Sequence, residues 1–285
     1  MRTLEQLLRY SRKRLEEKRI ERSRQVAEEI IAEALRLPRL ALYLNFDRPI
    51  DTGEMRLCLR LLERKVRGEP LGYLYRYIDF FHCRLEINSS ALIPRQETEI
   101  LLQNICNILD SYDLEGKEAW DLCCGSGCLG LGLKKRFPHL NLTLSDISKE
   151  CVELAQKNAQ KNRLQVQLLQ GDLLAPFAGK KAHFIIANPP YISEEEFASL
   201  QPSVRNFEPH AALVSGPTGL EFYQRLEKEL PKYLHDGATI FFEIGATQGD
   251  ALLKLFSKPH YKKTKIEKDW AGHDRFFFAK YEVAC

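Results

Sequence analysis

The sequence predicts an α/β protein in which a small N-terminal helical bundle and a β-hairpin linker precede a doubly wound, mostly parallel sheet of seven strands. The main observation is that, from about residue 94 onward, short apolar runs alternate with helical stretches, the pattern of parallel strands joined by crossover helices. The last two apolar runs are separated only by a short loop, which predicts an antiparallel pair at the end of the sheet.

Residues 1–72 are expected to form the bundle. Leu4, Leu7 and Leu15 recur at the spacing of one helix face, and similar apolar stripes follow them. Breaks between the stripes fall at Pro38, at Pro49 and at Gly68-Glu69-Pro70. The segment Arg9–Arg24 contains eight Lys and Arg residues, and we interpret it as a solvated helix face with ion pairs four residues apart. Contact with RNA or with an RNA-bound partner is the alternative for this segment.

Residues 73–93 change to short aromatic and β-branched runs, YLYRYIDFF and CRLEI, which predict a β-hairpin that leads into residues 94–285. A helix is then predicted from Pro94, because proline suits the first turn and Glu97 and Glu99 lie near the positive end of the helix dipole. The seven predicted strands are EAWDLC, LNLTLSD, QVQLLQGD, HFIIAN, ATIFFEIG, KTKIEKDW and DRFFFAKY.

The composition excludes several classes of protein. A chain of 285 residues with 44% hydrophobic residues can form about two domains with a substantial core. The net charge of +3 is too small to indicate nucleic-acid binding by itself. We expect a cytoplasmic protein without membrane contact, because the start resembles no secretory signal and no apolar run approaches ~18 residues. The eight cysteines lack metal-site spacing and are expected to be reduced, so no metal is predicted.

Three consecutive predicted strands end in residues that suit an adenosine-containing ligand. The first is followed by Asp121-Leu-Cys-Cys-Gly125-Ser-Gly127, where glycines allow a close backbone approach and a helix N-terminus offers free N–H groups. The second ends in Asp146, whose carboxylate can accept both hydroxyls of a ribose. The third ends in Asp172 and Leu173, a carboxylate and an apolar side chain where an adenine ring would lie.

Two kinds of adenosine ligand fit this pattern. Gly125 to Gly130 matches G-x-G-x-x-G, so a nicotinamide-dependent enzyme is one alternative. S-adenosylmethionine is the other, and it has an α-amino group but no pyrophosphate. Asp121 suits the amino group and has no function beside a pyrophosphate. This residue favours S-adenosylmethionine.

The fourth predicted strand stops at Asn188-Pro189-Pro190-Tyr191. Two prolines supply no N–H, which leaves the Pro189 carbonyl free near the Asn188 side-chain oxygen. Two fixed acceptors can hold both hydrogens of a substrate NH₂ group and direct its lone pair at a methyl carbon, while Tyr191 lies on the planar amide or base. A simple turn is the alternative interpretation.

Asn-Pro-Pro-Tyr behind Asp-x-x-x-Gly-x-Gly resembles the amino-methylating S-adenosylmethionine-dependent methyltransferases, which have a Rossmann-like class I fold. The flanking motifs resemble the release-factor glutamine methyltransferases, the HemK/PrmC family, and extend the resemblance from about residue 68 to residue 281. These motifs are GEPLGYL (68–74), LIPRQETEILL (92–102), VRNFEPHAAL (204–213) and DWAGHDRF (269–276).

This resemblance implies methylation of the glutamine side-chain amide in the Gly-Gly-Gln motif of class-1 peptide chain release factors, with recognition of the substrate protein by the bundle. A monomer that binds no nucleic acid directly is expected. The implied cofactor contacts are Cys123, Cys124, Gly125, Ser126, Gly127, Asp146, Leu173 and Asn188. The implied glutamine-binding and catalytic residues are Asn188, Pro189, Pro190 and Tyr191, with Arg95 and Glu97 beside the site. For Arg95 a plain salt bridge is an equal alternative.

The chain departs from the family pattern at two places. Cys123 stands where a glycine is usual, so the backbone there is expected to be extended or the loop reshaped, with the tight positions taken by Gly125 and Gly127. Tyr75-Arg76 replaces Thr-Gly in the linker and puts its turn geometry in question. The alternative function is an amino-methyltransferase for ribosomal RNA or DNA bases, and the basic segment in the bundle gives that alternative some support.

Overall fold

The computed structural model describes residues 3–283 and divides the chain into two compact units, Met1–Tyr75 and Arg76–Cys285. The first unit is helical, and the second contains all but the first of the sequence motifs quoted above. None of the helices within residues 3–283 combines the length and apolar character that crossing a membrane requires.

The described part of the first unit, residues 3–75, forms five helices around an apolar interior. They are α1 (Leu4–Glu17), α2 (Ser23–Leu35), α3 (Arg39–Tyr43), α4 (Thr52–Val66) and α5 (Leu71–Tyr75). Leu15, Ile30 and Leu62 are fully buried in one cluster because they lie on the inward faces of the three longest helices. On the outer face of α1, Arg9 pairs with Glu5 at 2.8 Å and Arg12 with Glu16 at 2.7 Å, all of them exposed. These pairs match the solvated-face interpretation of the basic segment.

The boundary between helix and hairpin differs from the sequence prediction. Tyr73, Leu74 and Tyr75 end α5, although their aromatic character predicted the start of the hairpin. The N–H groups of Tyr73 and Leu74 donate to the carbonyl of Pro70, because Pro70 starts a helical turn that overrides the local strand preference. Arg76 then has φ of 63°, the left-handed conformation that glycine would adopt without strain.

The second unit opens with the hairpin and continues with alternating strands and helices. In chain order the elements are β1 (Tyr77–Phe80), β2 (Cys83–Glu86), α6 (Gln96–Leu109), β3 (Glu118–Leu122), α7 (Cys128–Arg136), β4 (Asn141–Asp146), α8 (Lys149–Lys161), β5 (Gln167–Gln170), β6 (Ala182–Ala187), β7 (Ile192–Ser193), α9 (Glu194–Ser199), α10 (Pro202–Arg205), β8 (Val214–Gly216), α11 (Glu221–Glu229), β9 (Leu234–Glu243), α12 (Gly249–Leu255), β10 (Tyr261–Lys268) and β11 (Asp274–Tyr281).

Seven of these strands form one sheet in the order β10-β11-β9-β6-β3-β4-β5. The strands from β9 to β5 in that order are parallel, whereas β11 pairs antiparallel with both β9 and β10. The doubly wound, mostly parallel sheet and its antiparallel closing pair are therefore confirmed. β3 lies between β4 and β6: the chain runs from β3 outward through β4 and β5 and then crosses back to β6 on the other side of β3. Such a switch point opens a crevice at the carboxyl ends of the strands.

The sheet is apolar on both faces because helices cover both of them. Trp120 on β3 stacks on Phe177 with ring centroids 4.0 Å apart, and Phe241 and Phe242 on β9 are both fully buried although successive side chains point to opposite faces. Close packing of this kind holds the strand ends in fixed positions. The residues that follow these strands consequently have a rigid support.

Candidate active site

A cavity of about 460 Å³ lies at the carboxyl ends of β3, β4, β5 and β6. Most of the residues that the sequence selected line it. They are Asp121, Cys123, Cys124, Gly125, Ser126, Asp146, Asp172, Leu173, Asn188 and Pro190. Five other candidates are not among the lining residues, namely Gly127, Pro189, Tyr191, Arg95 and Glu97. The structure thus brings the four strand ends together around one space.

The loop after β3 is shaped by left-handed backbone. Cys123, Gly125 and Gly127 have φ of 56°, 52° and 81°. Of the two alternatives for Cys123, an extended backbone or a reshaped loop, the extended one is wrong, and the chain accepts a left-handed cysteine at a cost of roughly 1–2 kcal/mol. A Cβ on Gly127 would lie 3.1–3.2 Å from Leu131, Ala155 and Leu144. Gly127 therefore has no room for a side chain.

Asp146 closes this loop from the end of β4. Its Oδ2 accepts the N–H of Gly125 at 2.9 Å, and its Oδ1 accepts the N–H of Ser148, also at 2.9 Å. Burial raises the pKa of Asp146 above its ordinary value, and the N–H groups that it accepts from act in the opposite direction. The carboxylate is fixed at the cavity wall and keeps further lone pairs for a ligand hydroxyl.

Asp121 has a partner within the chain that the sequence argument did not count. Its Oδ2 accepts the N–H of Gly130 at 2.8 Å, and burial raises the pKa of this carboxyl to about 7. A Cβ on Gly130 would come within 2.9 Å of the same oxygen and within 2.8 Å of Leu144. Asp121 consequently joins β3 to the first turn of α7 whatever ligand is bound, and it does not distinguish the two ligand classes.

The charges around the cavity do distinguish them. Besides Asp121, three acidic side chains line it, from Asp146, Glu150 and Asp172, and among the lining residues described in the structure Arg225 is the only cation. Arg225 donates to Asp172 at 2.8 Å and is therefore already paired. A pyrophosphate would face net negative charge here, whereas a sulfonium and an amino group would be attracted. Phe222 and Leu173 add apolar surface for a ring, and the volume suits a nucleoside-sized ligand.

Four thiols also line the cavity, from Cys123, Cys124, Cys128 and Cys151. Burial raises the pKa of each thiol above its ordinary value, with nearby carboxylates adding to the effect. The thiols are therefore protonated at neutral pH and act as small apolar groups. Within residues 3–283 no cluster of His, Cys, Asp and Glu has the arrangement of a metal site.

The segment after β6 is held by buried side chains from two other elements. Asn188 Nδ2 donates to Thr98 Oγ1 at 3.3 Å, and the Thr98 hydroxyl donates to Glu243 Oε2 at 2.7 Å. The Tyr191 hydroxyl donates to Glu243 Oε1 at 3.4 Å. None of the backbone hydrogen bonds between described residues ends on the Pro189 carbonyl. Asn188 Oδ1 and this carbonyl are two oxygens of the segment that keep acceptor capacity.

Sequence reasoning missed the roles of Thr98 and Glu243, which are both 1% exposed. Thr98 lies within the quoted LIPRQETEILL motif, from which the resemblance implies only Arg95 and Glu97 beside the site. Glu243 lies within an otherwise apolar strand, FFEIG, and a single carboxylate in such a run is the signal that could have identified it. Burial raises the pKa of Glu243 to about 6.

Arg95 forms a salt bridge, the second of the two alternatives for this residue. Its guanidinium lies 2.5 Å from Glu208 Oε1, and the side chain of Glu208 is only 1% exposed. The other oxygen of Glu208 accepts the N–H of Ile93 at 3.3 Å. Pro209, the next residue, lines the cavity, in accord with the position of VRNFEPHAAL near the site. Arg95 thereby anchors this wall of the cavity.

Comparisons with known proteins identify the family of this chain. The family model of the PrmC N-terminal domain matches residues 6–75, and that of the methyltransferase small domain matches residues 95–205. The release factor glutamine methyltransferase of Chlamydia trachomatis serovar D is 38% identical over 260 residues, covering 90% of this chain and 87% of that protein. The Geobacter sulfurreducens protein of the same name is 33% identical over 273 residues, covering 96% of this chain and 95% of its own.

Among solved structures, a T. thermophilus 16S rRNA methyltransferase in complex with AdoMet and guanosine has a TM-score of 0.52 at 16% identity, covering 72% of this chain and 50% of its own. This likeness shows the class I methyltransferase fold. The two relatives share 33–38% identity with nearly the whole of this sequence. The chain therefore belongs to the family of release factor glutamine methyltransferases, as its motifs predicted.

Proposed function

We propose that this protein methylates the side-chain amide nitrogen of the glutamine in the Gly-Gly-Gln motif of class-1 peptide chain release factors, with S-adenosylmethionine as the methyl donor. The observation that carries the proposal is the arrangement after β6. The Asn188 amide nitrogen is occupied by Thr98, so its oxygen remains as the acceptor for a substrate at the cavity.

A primary amide needs this kind of site because its nitrogen is a poor nucleophile. The nitrogen lone pair is delocalised into the carbonyl, and two acceptors that hold both N–H groups direct the nitrogen at its target. We assign these acceptors to Asn188 Oδ1 and the Pro189 carbonyl, with Pro190 and Tyr191 completing the segment. Fixed positioning of this kind accounts for most of the rate, since no proton has to be removed before transfer.

The donor is assigned to the loop after β3 and to the two strand ends beside it. Cys123, Cys124, Gly125, Ser126 and Gly127 would surround it, with Asp146 at the ribose and Asp172 and Leu173 at the adenine. When bound, S-adenosylmethionine supplies a methyl group on a sulfonium. The amide nitrogen gains this methyl group and loses one proton to solvent, and the sulfonium becomes the thioether of S-adenosylhomocysteine. The acidic lining supports this assignment because it attracts a cation.

We further propose a division of labour along the chain. Residues 1–75 would recognise the release factor, residues 76–93 would link, and residues 94–285 would carry out the transfer. The enzyme would act as a cytoplasmic monomer. It would make no direct nucleic-acid contact, and the small net charge of +3 supports this last point. Light scattering of the purified protein, with and without release factor, tests the monomer and a one-to-one complex.

The test of the function is transfer of a tritiated methyl group to three acceptors, each offered separately to the purified protein. The acceptors are an intact class-1 release factor, the same factor with alanine in place of the motif glutamine, and ribosomal RNA. We expect label in the intact factor alone, and mass spectrometry should place it on the glutamine. Label in the RNA, or equal label in the alanine factor, would overturn the proposal.

A further inference from the structure

We propose that Thr98 and Glu243 are positioning residues that determine which way round the Asn188 amide faces, and thereby whether Asn188 can accept a hydrogen bond from the substrate. The inference rests on the proposed function, because it assumes that the reacting group is an NH₂ held by Asn188 Oδ1. Nothing in the sequence motifs assigned either residue such a role.

The starting point is that the oxygen and nitrogen of an asparagine side chain have almost the same shape. Only the hydrogen-bond partners of the amide decide its orientation. Asn188 has one such partner in the described structure, Thr98 Oγ1 at 3.3 Å from Nδ2. The direction in which the Thr98 hydroxyl donates therefore decides which end of the Asn188 amide faces the substrate.

Glu243 fixes that direction. A hydroxyl has one proton, and Thr98 donates it to Glu243 Oε2 at 2.7 Å. The Thr98 oxygen can then offer only lone pairs to Asn188, so Asn188 must turn its NH₂ toward Thr98 and its oxygen away. A bond to an ionised carboxylate is stronger than one between neutral groups, which makes this direction the preferred one.

The Glu243 carboxylate is itself held in place. It is the last residue of β9, the strand that pairs with β6 at Ala187 and Phe242, so it lies next to the start of the Asn-Pro-Pro-Tyr segment. Its backbone carbonyl accepts the Tyr223 hydroxyl at 2.7 Å. Its second carboxylate oxygen accepts the Tyr191 hydroxyl at 3.4 Å. One carboxylate consequently controls both ends of the segment.

Several charged or titratable groups surround this carboxylate. Burial and, to a smaller extent, Glu97 raise its pKa, Thr98, Arg275 and the Tyr191 hydroxyl lower it, and the resulting pKa is about 6. Arg275 is also bonded to Asp269 at 3.4 Å. The buried thiol of Cys128 and the hydroxyl of Tyr223 also lie within its electrostatic reach, and burial raises the pKa of both well above neutrality.

Protonation of Glu243 is expected to reverse the arrangement. A neutral carboxyl can donate its own proton to Thr98, which frees the Thr98 proton for Asn188. The amide must then turn its oxygen toward Thr98 and its NH₂ toward the substrate, where two donors would meet. The catalytic rate should fall as the pH drops through about 6 for this reason.

The contribution of Glu243 to stability has the opposite pH dependence to its expected effect on catalysis. Its folded-state pKa lies above the ordinary value of 4.5, so the protonated form is the one that stabilises the fold. That contribution is fully present below pH 4.5 and is lost as the pH rises through about 6. At neutral pH the ionised carboxylate therefore costs stability, and Glu243→Gln should not lower the melting temperature there.

The experiment compares Thr98→Val, Thr98→Ser and the control Thr143→Val, another buried threonine, which lies on β4. Valine keeps the shape of threonine but removes the hydroxyl. We expect Thr98→Val to lower kcat at least about tenfold with little change in S-adenosylmethionine affinity, and Thr98→Ser and Thr143→Val to stay within about threefold of wild type. Wild-type kcat in Thr98→Val, or an equal loss in Thr98→Ser, would overturn the inference.

A pH profile provides the second measurement. The kcat of Glu243→Gln divided by that of wild type should rise from about pH 8 to about pH 5.5, because glutamine does not titrate. The ratio cancels the titration of Asp121, which is common to both proteins, and a flat ratio contradicts the inference. Absence of release-factor methylation by the wild-type enzyme would instead remove the proposed function and this inference together.

Discussion

The segments that follow β3 and β6 face the same cavity, but their geometry is maintained by different means. After β3 the backbone conformation itself shapes the loop, since Cys123, Gly125 and Gly127 all have positive φ. After β6 the prolines restrict the backbone, and the orientation of Asn188 depends on Thr98, a residue 90 positions away in sequence. A site formed by backbone is visible in a short motif, whereas a site formed by a side-chain relay is distributed along the chain.

Of the two segments, the one after β6 should show the largest effect, in Asn188→Ala. This variant removes one of the two assigned acceptors, and we expect kcat to fall on the order of 10²–10³-fold, as for loss of a positioned hydrogen-bonding group in other active sites. The fold should persist, because Asn188 is only partly buried and makes one side-chain hydrogen bond. Tritiated methyl transfer and thermal unfolding measure the two quantities. Retention of full activity would refute the acceptor role.

The loop after β3 is tested by two alanine substitutions. Gly127→Ala combines positive φ with three contacts at 3.1–3.2 Å, and should lower the free energy of unfolding by about 2–3 kcal/mol. Gly125→Ala has the same kind of φ, but its Cβ would meet only Ala91 at 3.8 Å, so about 1 kcal/mol is expected. Urea unfolding of both variants checks the order. A larger loss in Gly125→Ala would mean that the loop geometry is misassigned.

The smallest effect concerns Cys123. Cys123→Gly relieves left-handed strain but adds freedom to the unfolded chain and removes a thiol that packs against the core, so stability should change by less than about 1 kcal/mol. Cys123→Val introduces a β-branched residue at φ of 56° and should cost about 1–2 kcal/mol more than the glycine variant. The difference between their urea midpoints gives the result, and equal midpoints would argue against strain at this position.

The sequence predicted the sheet, its antiparallel closing pair and most of the cavity-lining residues, because each of these depends on local patterns of apolar residues, glycine and proline. It did not reveal the Thr98–Glu243 relay, which joins residues 145 positions apart. It also missed the structural role of Asp121, whose partner Gly130 becomes visible only when α7 packs against β3. Tyr73 to Tyr75 appeared to be strand residues because aromatic side chains carry strand propensity, and the helical turn begun at Pro70 outweighed that propensity.

The contact between Asp121 and Gly130 has a consequence for the glycine pattern from Gly125 to Gly130. In this protein the third glycine is required because a carboxylate oxygen and Leu144 occupy the space that a larger residue would fill. The requirement comes from the close packing of α7 against β3, and it would hold whether or not a ligand is bound. A fingerprint of this kind measures the distance between two elements, and the identity of the bound molecule has to be inferred from the charges that face it.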